Sequence, residues 1–126
     1  MSTTTTMEDF YGPVIDAYSR AQAIEDDVLV KVPYGIQTEV GIRFPVAITH
    51  TVWSECVTPP KTNRIESVEG RLWDLLWMFK LAARQSRGSE IQFVVRFGNR
   101  NVRLKGLCGP GDDTHPVITI MYPHED

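Results

Sequence analysis

Gly70 to Arg87 reads GRLWDLLWMFKLAARQSR, a run of good or tolerable helix residues with no Pro and no Gly beyond its first position. Wound as an α-helix, it places Leu72, Leu75, Leu76, Phe79, Ala82 and Ala83 on one face, the spacing of a core-facing stripe. A second stripe carries Trp73, Trp77, Lys80 and Arg84, and a third side mixes Asp74 and Gln85 with Met78 and Leu81. One core satisfies only the first stripe. The helix is therefore expected to be covered on its other sides by the rest of the domain, a second copy or a partner.

The text changes period immediately after this helix. Gly88 reads as a C′ stop, with Arg84 and Arg87 near the negative end of the helix dipole. Ile91, Phe93, Val95 and Phe97 then alternate with Gln92, Val94 and Arg96, and Val102 and Leu104 alternate with Arg103 and Lys105. Gly98, Asn99, Arg100 and Asn101 between the two runs predict a hairpin. Gly109 to His115 (GPGDDTH) predicts a second turn and Val117 to Tyr122 (VITIMY) a third strand.

Upstream, Lys61 to Glu69 is a polar connector behind Pro59 and Pro60. Thr49 reads as the N-cap of a short helix holding Val52, Trp53, Cys56 and Val57. Residues 33 to 45, punctuated by Pro33, Gly35, Gly41 and Pro45, predict a loop or one irregular helical turn. Val28 to Val32 (VLVKV) is a short strand behind the acidic turn Glu25, Asp26 and Asp27. Ser19 and Gln22 have the form of a capping box. Helical text runs from Val14, and Asp9 to Pro13 (DFYGP) predicts an aromatic turn anchoring the N-terminal end. The class is α+β: two to three helices packed on a mainly antiparallel sheet with a C-terminal three-stranded meander.

At 126 residues the chain is the size of one domain. Residues 9–123 are assigned to it and residues 1–8 to a flexible polar tail. Hydrophobic residues make up 42% and charged residues 23%, the balance of a folded globule. The net charge of −3 gives no global attraction to nucleic acid or to an anionic membrane, but allows a local basic patch. MSTTTTMED has neither the basic nor the apolar region of a secretion signal, and no apolar run is long enough for a membrane span. A reducing, cytoplasmic location follows as the expectation, with Cys56 and Cys108 read as small buried hydrophobes.

The stretches DFYGPVIDAYSRAQAIEDDVLVKV, FPVAITHTVWSECV, GRLWDLLWMFKLAAR and NRNVRLKGLCGPGDD, with PVITIMYP near the end, resemble a family of small uncharacterised bacterial proteins found on chromosomes, plasmids and phages. The resemblance spans Asp9 to Pro123. It implies a bacterial, cytoplasmic, single-domain protein associated with mobile elements, and it carries no chemistry.

Chemistry must come from the residues. Arg96, Arg100, Arg103 and Lys105 cluster on the first hairpin, with Arg96, Arg103 and Lys105 on the face opposite the apolar one. Such a basic ribbon could track phosphates, or the charges could simply solvate the outer face of a half-buried sheet. His50 and Cys56 could pair as base and thiol, but six residues apart they fall on different sides of a helix. His115 with Asp112 and Asp113 suggests a hard-metal or phosphate loop; GPGDDTHP is more simply a turn. No catalytic residue, metal ligand or cofactor is assigned.

The remaining surface is the stripe Trp73, Trp77, Lys80 and Arg84. Trp and Arg are enriched where protein interfaces concentrate their binding energy. The alternative is that the tryptophans pack under neighbouring helices, with the Lys80 and Arg84 stems over their rings. The resulting expectation is a non-enzymatic accessory protein acting by protein contact, in its concrete form an inhibitor of a host defence or regulatory factor. A nucleic-acid-binding module using hairpin 96–105 is the alternative, and a homodimer through Met78 and Leu81 is a further option.

Overall fold

A computed structural model describes residues 18–60 and 67–125. The expected tail 1–8, the Asp9–Pro13 turn, the helical text from Val14 to Ala17 and most of the 61–69 connector lie outside the described residues. In chain order the elements are α1 (Arg20–Glu25), β1 (Leu29–Lys31), α2 (Tyr34–Val40), β2 (Val46–Thr49), α3 (His50–Val52) running into a π-helical turn (Trp53–Val57), α4 (Val68–Arg84), β3 (Glu90–Phe97), β4 (Arg100–Pro110) and β5 (Pro116–Met121). The class is α+β, as the sequence predicts.

Short-range chemistry sets most boundaries. Ser19 and Gln22 form the capping box of α1: the Ser19 hydroxyl accepts from the Gln22 N–H, and the Gln22 amide oxygen accepts from the Ser19 N–H. The Thr49 hydroxyl accepts from the Val52 N–H as the N-cap of α3. Both ends of α4 differ from the expected ones. The helix starts at Val68 rather than Gly70, because the Ser67 hydroxyl caps the Gly70 N–H. It ends at Arg84, where the N–H groups of Gln85 and Ser86 turn back to the Ala82 and Ala83 carbonyls, so Gly88 plays no capping part.

The sheet has five strands in the order β1-β2-β5-β4-β3. The C-terminal meander β3-β4-β5 is antiparallel throughout, β2 pairs antiparallel with β1, and β2 pairs parallel with β5. Phe97 lies opposite Arg100, so the hairpin loop contracts to Gly98 and Asn99. Gly98 takes φ 61°, a conformation glycine adopts without steric cost.

The region 33–45 is more ordered than expected. Two turns of helix, α2, end at Gly41 with φ 94°, a left-handed C-terminal stop. Gln37, only 2% exposed, explains why so punctuated a segment holds its shape. Its Nε2 donates to the carbonyls of Ile42 (3.1 Å) and Phe44 (2.7 Å), and its Oε1 accepts from the Val46 N–H (3.2 Å). One buried amide thus supplies three backbone groups that no strand or helix satisfies.

The core lies between one sheet face and the α2–α4 layer. Ile48, Ile91, Phe93, Val95, Val102, Leu104, Ile118 and Ile120 meet Leu72, Leu75, Leu76 and Phe79, all buried. Ala82 and Ala83 are half-buried against the same cluster. On the opposite face α1 is fastened to the far end of the chain: the Asp112 carboxylate accepts from the N–H groups of Arg20 (2.8 Å) and Ala21 (3.0 Å), and Arg20 donates to Thr119 Oγ1 and the Ile118 carbonyl.

Candidate functional site

The aromatic stripe of α4 sits at the boundary between core and surface. Trp73 is half-buried against the core cluster, whereas Trp77 is 36% exposed and the adjacent Met78 38%. The indole rings stack with centroids 5.6 Å apart and planes 24° from parallel. Lys80 Nζ lies 5.7 Å from the Trp77 centroid and also donates to the Val40 carbonyl at 2.9 Å. The ammonium thereby caps the carboxyl end of α2 and holds α2 against α4, while its charge faces the indole. Arg84 is exposed one turn further on. The structure thus brings Trp73, Trp77 and Lys80 into one cluster, with the outer ring open.

Beside this cluster α4 meets the last strand of the sheet. A groove of about 450 Å³ runs between Asp74, Trp77 and Met78 on the helix and Val94, Val95 and Arg96 on β3, with Asn101 at its end. Val94 is 45% exposed. Self-association through Met78 and Leu81 finds Met78 exposed and Leu81 only half-buried.

The basic hairpin is less open than its sequence implies. Arg96, Arg100 and Arg103 are exposed. However, Arg96 Nε donates to the Gly98 carbonyl (3.0 Å) and an Arg100 terminal nitrogen to the Glu55 carbonyl (3.0 Å). Lys105 departs from expectation: it occupies the predicted outer face, opposite Gln92 and Met121, but is only 8% exposed.

The histidine and cysteine candidates are separated. His50 lines a cleft on the outer sheet face together with Leu29, Leu107 and Met121. Cys56 is completely buried; its Sγ lies 3.3 Å from the Tyr122 hydroxyl and 4.0 Å from an Arg100 nitrogen. Asp112 caps α1, and Asp113 accepts from the backbone N–H of His115 (3.1 Å) and pairs with its Nδ1 (3.1 Å) on the exposed turn. The His115 hydrogen bonds hold the Asp113 carboxyl below its usual range. Among the described residues no cluster of three or more His, Cys, Asp or Glu is placed to hold a metal ion.

A polar cluster around the π-helical turn was not legible in the sequence. Tyr122 donates to Glu55 Oε1 (2.7 Å) and meets Cys56, Arg71 donates to the Cys56 carbonyl (2.9 Å), and the Arg71 guanidinium lies 5.4 Å from the Phe97 centroid. Burial, then the hydrogen bonds to Cys56 and Glu55, push the Tyr122 phenol well above its ordinary range. A widened turn sacrifices regular helical bonds, and Arg71 and Arg100 meet two of its carbonyls. The one signal in the sequence was Arg71 itself, the only charge on the otherwise apolar inner side of α4. With Cys56 Sγ enclosed, this cluster braces the turn.

Fold and surface together define a small α+β domain whose most distinctive open feature is an aromatic, cationic helix face next to a sheet edge. Residues 7–126 match the family described as "Family of unknown function (DUF6573)", and the chain belongs to that family. No curated protein and no solved structure matches it. No helix among the described residues is long and apolar enough to cross a membrane.

Proposed function

We infer that this protein is a non-enzymatic accessory module of bacterial or mobile-element origin that acts in the cytoplasm by protein–protein contact through Trp73, Trp77, Lys80 and Arg84. The observation that supports the reading is Trp77: a large ring left 36% exposed, stacked on a half-buried Trp73 and faced by Lys80. A ring fixed by its neighbours loses little freedom on binding, which is the property of an interface anchor. The partner accordingly offers an apolar pocket for the indole with a carboxylate near Lys80 and Arg84. Inhibition of a host defence or regulatory factor is the concrete form of this function.

The test is capture from a bacterial lysate by wild type and by Trp77→Ala, each with and without nuclease. A protein retained by wild type, resistant to nuclease and lost with a folded Trp77→Ala supports the reading. Retention that nuclease abolishes transfers the function to the hairpin Arg96, Arg100, Arg103 and Lys105.

A further inference from the structure

The two edges of the sheet are not equivalent. β1 offers three residues, whereas β3, at the other end of the order, runs for eight, Glu90–Phe97, without a proline. The direction of its free hydrogen-bonding groups follows from the register. The Ser89 carbonyl accepts from the Cys108 N–H at 2.8 Å, and Ser89 precedes a ladder that pairs Glu90 with Leu107 through to Phe97 with Arg100. In an antiparallel ladder bonded and non-bonded pairs alternate. Residues 91, 93, 95 and 97 therefore turn their backbone groups toward β4. Glu90, Gln92, Val94 and Arg96 turn theirs away from the sheet, and all four are exposed. Among the described residues no hydrogen bond fills these positions.

We propose that this edge pairs antiparallel with β3 of a second copy of the chain, about a two-fold axis at Phe93, making one continuous sheet across a dimer. In that register Glu90 faces Arg96 of the other copy and Gln92 faces Val94, so all four outward-facing residues form hydrogen-bonded pairs. Each pair brings together residues of the same sheet face, as the pleat demands. The charges decide in favour of a second copy as occupant. The negative residue at one end of the edge meets the positive residue at the other end, twice, as an isologous contact requires. Sliding the register by two residues in either direction loses one pair and leaves both charges without their opposite. An unprotected edge of this length is a liability in a monomer and is normally shortened, bulged or covered. This contact is made by the backbone of β3 and does not use the Trp77 ring, although Val94 and Arg96 also line the groove beside Trp77.

Sedimentation equilibrium on the full chain tests the proposal. The expected species is two chains of 14.3 kDa each. Val94→Pro removes only an outward-facing N–H, at an edge position that tolerates proline, and is expected to give a folded monomer. Glu90→Arg and Arg96→Glu singly place like charges opposite each other twice and weaken dimerisation by about tenfold or more. The double reversal restores the dimer, which a merely structural role for either residue would not produce. The proposal is overturned by a species of one chain at every concentration, or by a dimer that survives a folded Val94→Pro. If Val94→Pro fails to fold, the charge reversals decide alone: singles that dimerise as wild type, or a double that stays monomeric, overturn the proposal.

Discussion

Phe79 of α4 lies directly on Gly106 of β4, so that a Cβ on the glycine would overlap the ring at Cε1 and Cδ1. The same ring meets Phe93 edge-on, with centroids 5.5 Å apart. The missing side chain of Gly106 is what allows α4 to settle onto the β3–β4 side of the sheet. Gly106→Ala should cost about 1–3 kcal/mol through overpacking, although Ala suits a strand at least as well as Gly. Phe79→Ala should cost about 3–5 kcal/mol. Because the two residues touch, the double variant should cost less than the sum, which urea denaturation of the four proteins would show.

Gln37 is the second sensitive point, and for a different reason. Leu at this position has similar bulk and better apolar character, yet it leaves the Val46 N–H and the Ile42 and Phe44 carbonyls without the amide that serves them. Orphaned buried groups cost about 1–3 kcal/mol each. Gln37→Leu should therefore destabilise by at least about 2 kcal/mol, read as a lowered urea midpoint at unchanged slope. Faster amide exchange at Val46 than at Ile120 would locate the damage.

The raised ionisation of Tyr122 links stability to alkaline pH. Folding holds the phenol neutral where an unfolded tyrosine begins to ionise, near pH 10. Its contribution is complete below that pH and is lost as pH rises toward the folded-state value. The decline is at most about 1.4 kcal/mol per pH unit, and smaller in practice because the phenol is partly solvated. Tyr122→Phe should be less stable at pH 8, having lost the Glu55 bond, and should show a flatter decline between pH 9.5 and 11. Parallel slopes for the two proteins would rule this link out.

Trp73 and Trp77 should separate cleanly under substitution. Trp73→Ala removes a ring packed against the core and should cost about 2–3 kcal/mol. Trp77→Ala removes a ring that is 36% exposed and should cost less than about 1.5 kcal/mol, most of it lost stacking and the contact with Lys80. Thermal melts and intrinsic fluorescence distinguish the two; equal losses would mean that both rings are core.

Elements with a local signature were legible in the sequence. Ser19 with Gln22, Thr49, the apolar stripe of α4 and the alternation of β3 and β4 each carry their own explanation within a few residues, and each is found where it was read. β2 was not legible. Val46–Thr49 is four residues long, buried on both faces and held by a parallel partner more than 70 residues later in the chain, so neither alternation nor a turn announces it. α2 was hidden for a related reason, since Gln37, not helix propensity, shapes the segment around it. At the surface, alternation placed Lys105 on the correct face but could not show that it is buried there while Gln92, Val94 and Arg103 on the same face are exposed. The Glu55–Tyr122 contact spans 67 residues, and no pattern along the chain records it.

The position of β5 has a consequence for how the protein is made. β5 sits at the middle of the sheet yet is the last strand synthesised. Until it emerges from the ribosome, β1 and β2 can form one antiparallel pair around α2, β3 and β4 a hairpin, and no strand joins the two. Before then the packing of α2 on α4 can bring the two halves together, and the sheet becomes continuous only when β5 enters between them.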